Sequence, residues 1–155
     1  AAPVDTDMIA SVARNGPLLM PAVVSDCGPF QGRKHHWVGA EPQPGTPERS
    51  TATAFYLALQ TAECLGLTFH QGPVIVEGPF ASNTAYCAML TSDMGSPVHA
   101  AEGSTGTSLG AALLSGNSTG QSGILSTKHF KPGQISETAS YVIRWRNALA
   151  GMSAS

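Results

Sequence analysis

The segment Val74-Ile75-Val76-Glu77-Gly78-Pro79-Phe80-Ala81-Ser82-Asn83 constrains the fold more than any other. Its apolar start reads as a short buried strand that closes on an acid and a glycine turn. Ser82 or Asn83 then caps a helix that runs to Met94, with Tyr86, Met89 and Leu90 inward and Gly95 as its terminator. Strand, tight turn and helix start, in that order, form a local geometry suited to holding a phosphate or a ribose. The free N–H groups at the helix start can face an anion there. The Asn83 amide can both donate to and accept from an adenine edge, and it can equally serve only as a helix cap.

Other elements alternate around this unit. Asp5 to Asn15 reads as a short helix with Met8, Ile9 and Val12 on one face, ended by Gly16-Pro17. Leu18 to Val24 reads as a buried strand. The Gly-, Pro- and His-rich stretch from Ser25 to Gly45 reads as a loop, with His36-Trp37-Val38 as a brief strand inside it. A long helix follows, with Thr46 as N-cap, Pro47 in the first turn and Gly66 as the stop. Its apolar positions Ala52, Phe55, Tyr56, Leu59, Ala62 and Leu65 recur at helical spacing. Ser96 to Ala100 is a further short strand, and Thr107 to Ser115 a helix of small residues. Gly116 to Gly123 reads as a mobile surface loop. A last helix from about Gln134 to Leu149 places Ile135, Ala139, Val142, Trp145 and Leu149 on one side. Alternating strands and helices predict an α/β layered domain.

At 155 residues the chain is one domain and long enough for a core. Charged residues make up 12%, about half the share usual for soluble domains, which suggests that part of the surface is covered in the native context. A net charge of −2 with scattered basic residues gives no footprint for nucleic acid. No apolar run approaches a membrane span. Cys27, Cys64 and Cys87 are far apart and odd in number, so a reduced, cytoplasmic compartment fits. Ala1 follows no initiator methionine and opens no signal peptide. Either the methionine was removed or the chain is a piece of a longer polypeptide.

Other chemistry is weaker. Glu102-Gly103-Ser104-Thr105-Gly106-Thr107-Ser108 looks superficially like a phosphate loop but lacks the lysine after its last glycine. His35-His36 with Cys27 matches no zinc spacing, so no metal ligand is expected, and His70, His99 and His129 read as singletons. The acids are isolated, so no acid–base pair and no catalytic residue is assigned. Tyr141 and Trp145, one helical turn apart, read as core or interface packing.

Val74 to Asn83, the helix to Met94, Pro97-Val98 and the segment Thr107-Ser108-Leu109-Gly110-Ala111-Ala112-Leu113-Leu114 together resemble the C-terminal domain of the FGGY carbohydrate kinases. That family carries a strand ending in Asp or Glu, a Gly-Gly turn, an Asn a few residues on, and later a Thr-Ala-Leu-Gly-Ala-Ala segment. The counterparts here are Glu77, Gly78-Pro79, Asn83 and Thr107 to Ala112. Leu18-Leu19-Met20-Pro21 and Thr46 to Leu67 resemble the family's preceding strand and long helix.

The resemblance implies an actin-like, ribonuclease-H-like fold. Residues 1–155 would be the nucleotide-side portion of a two-domain sugar kinase, with the N-terminal sugar-binding domain absent from this chain. It implies ATP with Mg2+ as cofactor and a cleft shared with the N-terminal kinase domain. A sugar or polyol is the implied acceptor, and a homodimer is left open. Gly78, Pro79, Phe80, Ser82 and Asn83 would line the ATP site. Three departures stand out: Pro79 replaces the second glycine and has no N–H to offer a phosphate. Leu57-Ala58 stand where the family has an acid-glycine pair, and Ser25-Asp26-Cys27-Gly28 where it has Gly-Glu-Arg. The family's phosphate loop and proton-accepting Asp precede the matched region, so this chain alone is expected to be catalytically silent. The alternative is a non-catalytic pseudokinase or regulatory nucleotide-binding module with the same fold. A small hydrolase using one of the many serines is a distant third.

Overall fold

Asp5, in extended conformation, opens the first helix, α1 (Thr6–Asn15), in the computed structural model, which describes residues 5–101, 114 and 127–152. Ile9, Val12 and Ala13 form the buried face of α1. Gly16 closes the helix with its N–H on the Val12 carbonyl at 2.8 Å. A β-carbon at that position would stand 2.6 Å from the same carbonyl oxygen, so only glycine lets the chain turn this tightly.

Strand β1 (Leu18–Met20) is buried throughout and pairs antiparallel with β2 (His36–Val38), Leu19 opposite Trp37. The expected strand to Val24 is shorter than its apolar run suggests. Pro21 has no N–H for a ladder, and Val23 and Val24 turn out to solvent at 48% and 59% exposure.

Helix α2 (Pro47–Leu67) begins as its cap residues dictate: the Thr46 hydroxyl oxygen accepts the Arg49 N–H at 3.3 Å. Ala52, Phe55, Tyr56, Leu59 and Ala62 are buried, and Leu65 packs partly buried against the core. The helix does not stop at Gly66. It runs one residue further and closes through Phe69, whose φ of +56° lies in the left-handed region. The Phe69 N–H reaches the Gly66 carbonyl and the His70 N–H reaches that of Leu65, both at 3.0 Å. That hydrogen-bond pair is a Schellman closure.

Strand β3 (Val74–Val76), a 3-10 turn (Gly78–Ser82), helix α3 (Thr84–Met94) and strand β4 (Val98–Ala101) form one strand–helix–strand unit with β3 and β4 parallel. β4 lies between β3 and the antiparallel β5 (Thr127–Phe130). Expected as wholly buried, β3 instead alternates: Val74 and Val76 face the helices while Ile75 is 70% exposed. The small-residue helix and the phosphate-loop-like segment expected between Glu102 and Ser115 lie outside the described residues, Leu114 apart, and so does the loop expected at Gly116 to Gly123.

Helix α4 (Glu137–Gly151) starts three residues later than Gln134, and Ile135 precedes it. Its buried face is Thr138, Tyr141, Val142 and Trp145; Ala139, expected inward, is exposed. Tyr141 and Trp145 are core residues, and they fasten α4 to the start of the chain. The Tyr141 hydroxyl donates to the Pro17 carbonyl at 2.9 Å and the Trp145 indole to that of Leu19 at 3.0 Å. Arg144 donates to the Ala13 and Gly16 carbonyls at the end of α1, where a cation also meets the negative end of the helix dipole. Arg146 joins three helices, gripping Glu63 of α2 at 2.7 Å and Asp93 of α3 at 2.9 Å. Glu63 and Asp93, read as isolated acids, therefore meet at one guanidinium. No helix among the described residues is long and apolar enough to cross a membrane.

Candidate functional site

The turn between β3 and α3 is set by Gly78, whose φ of +71° is a conformation that glycine adopts without strain. Pro79 follows within the 3-10 turn, where its fixed φ is accommodated and one N–H is lost. The Ser82 hydroxyl donates to the Pro79 carbonyl at 3.0 Å, and the Asn83 N–H to the Phe80 carbonyl at 3.0 Å. Phe80 is 44% exposed and leans on Tyr86, ring centroids 5.0 Å apart. Burial raises the Tyr86 phenol above its ordinary range against a hydrogen bond to Thr61 that works the other way, so Tyr86 stays a neutral donor holding α3 to α2 at 3.0 Å.

Asn83 does cap its helix: its side-chain oxygen accepts the Tyr86 N–H at 3.0 Å. That bond fixes the amide plane and leaves the Nδ2 hydrogens for another partner. Asn83 also lines a cavity of about 280 Å³ with Gly45, Arg49, Ser50, Thr53, Ala54 and Leu57. Of the residues assigned to the ATP site from sequence, Asn83 alone stands in this lining, which also includes Leu57, the residue that holds the place of the family's acid. Gly78, Pro79, Phe80 and Ser82 form the turn beside it, and Glu77 is the exposed residue that precedes the turn. The opposite wall was not anticipated. Arg49, Thr53 and Leu57 recur every fourth residue of α2, and that spacing, beside the Gly45-Thr46-Pro47 helix start, is the signal that marks one helix face.

The same face of α2 borders a second cavity of about 820 Å³. Its lining includes Val23, His35, Trp37, Arg49, Tyr56 and Gln60. Arg49 is already committed there: it pairs with Glu41 at 2.8 Å, donates to the Pro42 carbonyl at 2.6 Å and lies over the Trp37 ring at 5.4 Å. The Gln60 amide nitrogen is buried with no hydrogen-bond partner among the described residues.

Cys27, His35 and His36 are exposed, and among the described residues no group of three His, Cys, Asp or Glu is placed to hold a metal ion. His99 and His129, read as singletons, are neighbours across β4 and β5 with Nδ1 atoms 2.7 Å apart. Two stretches read Gly-x-Ser-x-Gly, at Gly106 to Gly110 and Gly116 to Gly120. A nucleophile elbow requires a strand before the serine and a helix after it, and both stretches lie outside the described residues.

The family described as carbohydrate kinase FGGY, C-terminal domain, matches residues 1–123. Among solved structures the chain is similar to a carbohydrate kinase from Novosphingobium aromaticivorans, with a TM-score of 0.74 and 24% identity. That likeness covers 93% of this chain and 31% of the other, so the chain spans under a third of its length and the two share a fold. No curated protein matches. With a family match over most of its length, on the strand, turn, Asn-capped helix and long preceding helix described above, the chain belongs to the FGGY carbohydrate kinases, in their C-terminal domain.

Proposed function

We propose that this chain is the ATP-binding side of a carbohydrate kinase that transfers the γ-phosphoryl group of ATP to a hydroxyl of a sugar or polyol. The fold is then the actin-like, ribonuclease-H-like one, working in the cytoplasm against an N-terminal kinase domain that supplies most of the sugar contacts. The observation that carries this reading is Asn83: capped to Tyr86 through its oxygen, it keeps two amide hydrogens at the edge of a cavity walled by Arg49, Thr53 and Leu57. An amide so held can donate to an acceptor nitrogen or oxygen of adenosine. Gly78, Pro79, Phe80 and Ser82 shape the turn beside the nucleotide. Mg2+ enters with the phosphates of ATP and neutralises their charge. Phosphoryl transfer rests on positioning and electrostatics shared between two domains, and the group that accepts the hydroxyl proton is assigned to the N-terminal one. Alone, the chain binds nucleotide and turns nothing over.

Asn83→Asp tests the reading. Aspartate caps a helix about as well as asparagine, so stability should hold within about 0.5 kcal/mol. It replaces two donors with a negative charge beside a polyphosphate. Calorimetric titration with Mg-ATP should show affinity falling at least about tenfold, the equivalent of roughly 1.4 kcal/mol. Equal ATP binding by both proteins would remove Asn83 from the site. No binding by either would favour a scaffold without nucleotide chemistry.

A further inference from the structure

The outer face of the three-stranded sheet carries a row that the kinase reading does not use. Register places Ile75, His99 and His129 side by side across β3, β4 and β5. His99 is half-buried and His129 exposed. Their imidazoles meet edge to face, centroids 4.6 Å apart, with the two Nδ1 atoms 2.7 Å from each other. On its far side His129 makes a second contact, Nε2 to the Thr127 hydroxyl at 3.1 Å.

Two Nδ1 atoms at that distance cannot both carry hydrogen. Whichever way the protons run, one of them presents a bare lone pair to the other ring. Thr127 holds His129 by its opposite nitrogen, the arrangement by which a histidine is oriented for coordination through the remaining one. Two imidazole nitrogens on a tetrahedral zinc ion, each about 2.0–2.1 Å from it, stand about 3.3 Å apart. The observed pair needs to open by only about 0.6 Å by that geometry, a movement that partly exposed side chains make by small χ rotations. The ring that now donates Nδ1–H would carry its proton on Nε2 instead, exchanged through solvent, so both rings stay neutral and no net proton is released.

We propose that His99 and His129 form a two-imidazole site for a borderline divalent cation of the Zn2+, Ni2+ or Cu2+ class. Imidazole nitrogens suit these ions, whereas Mg2+ and Ca2+ require oxygen donors. Among the described residues no third His, Cys, Asp or Glu stands with this pair, so the proposal rests on the two imidazoles alone. It lies on the outer sheet face and its residues line neither cavity beside α2. The proposal is therefore independent of the kinase reading.

The experiment is a Zn2+ titration of the full chain, free of any histidine tag, by calorimetry. The wild type, His99→Ala, His129→Ala and a His35→Ala/His36→Ala double variant are compared. The wild type should bind one Zn2+ saturably. Loss of either sheet histidine should weaken binding at least about tenfold, since even outer partners of metal ligands are worth that much. The double variant, which removes the exposed loop pair, should bind as the wild type does. A further readout needs no variant: ring-nitrogen NMR of wild-type protein should show Zn2+ moving the Nδ1 resonances of His99 and His129. No saturable binding, binding that survives both single variants, loss of binding in the loop variant, or unmoved Nδ1 resonances would each overturn the proposal.

Discussion

Cys87 shows how much a single residue's surroundings decide. Its thiol is fully buried under the 3-10 turn, with the sulfur 3.6 Å from the Phe80 carbonyl. Burial pushes its pKa up to about 11, although Lys128 pulls the other way. At pH 8 about one thiol in a thousand would then be ionised, and the thiolate is the reactive form. Cys27 and Cys64 are exposed. A disulfide reagent at pH 8 should modify these two in the native protein and reach Cys87 only after denaturant is added, which a timed absorbance assay reads directly. Cysteine count and spacing were legible in the sequence, but burial of one of the three was not. The same holds for His99 and His129: thirty residues apart, they become neighbours only through strand register, and nothing local announces that.

At the scale of elements, boundaries set by a local bond or a local backbone angle were the readable ones. Thr46 and Asn83 cap their helices as expected because a cap is a local bond between a side chain and an N–H three residues on. Gly95, with φ of +62°, ends α3 for an equally local reason. The end of α2 escapes that logic. Gly66 is the best terminator nearby, yet the left-handed residue is Phe69, a position that disfavours any β-carbon. Phe69 is 88% exposed, so its ring contributes little packing. Phe69→Gly should therefore stabilise the protein by about 0.5–1 kcal/mol, the relief of left-handed strain less the added freedom of the unfolded chain. Urea unfolding midpoints of the two proteins measure it. The early stop of β1 has a different cause: its apolar run continues, but Pro21 ends the pairing, and hydrophobicity alone carries no record of a missing N–H.

For the molecule as a whole, the strand–helix–strand unit and the long helix were readable because their apolar spacing and their motif lie within short stretches of sequence. The far wall of the candidate nucleotide cavity was not, because it comes from a helix some thirty residues upstream of Asn83 and closes only on packing. The clamp of α4 on α1 was not either. Part of it is the ion pair of Arg14 and Glu137 at 2.8 Å. The Arg14 hydrogen bond, aided by the backbone and Ser136, holds the Glu137 carboxyl below its ordinary 4.5. A carboxyl with its folded pKa depressed stabilises the fold above the unfolded pKa and loses that contribution as pH falls through the folded one. The stability gap between wild type and Glu137→Gln should thus be open at pH 7 and close on acidification below about 4.5, as followed by denaturant unfolding at several pH values. The clamp also bears on how the protein is made. Tyr141 reaches back 124 positions to Pro17, and Trp145 reaches back 126 to Leu19. At synthesis rates of about 5–20 residues per second, Ile9, Val12, Leu18 and Met20 wait some 6–25 seconds before the helix that covers them exists. During that interval the nascent chain presents an unclosed apolar surface to whatever meets it at the ribosome, and α4, translated that much later, is the helix that shuts it.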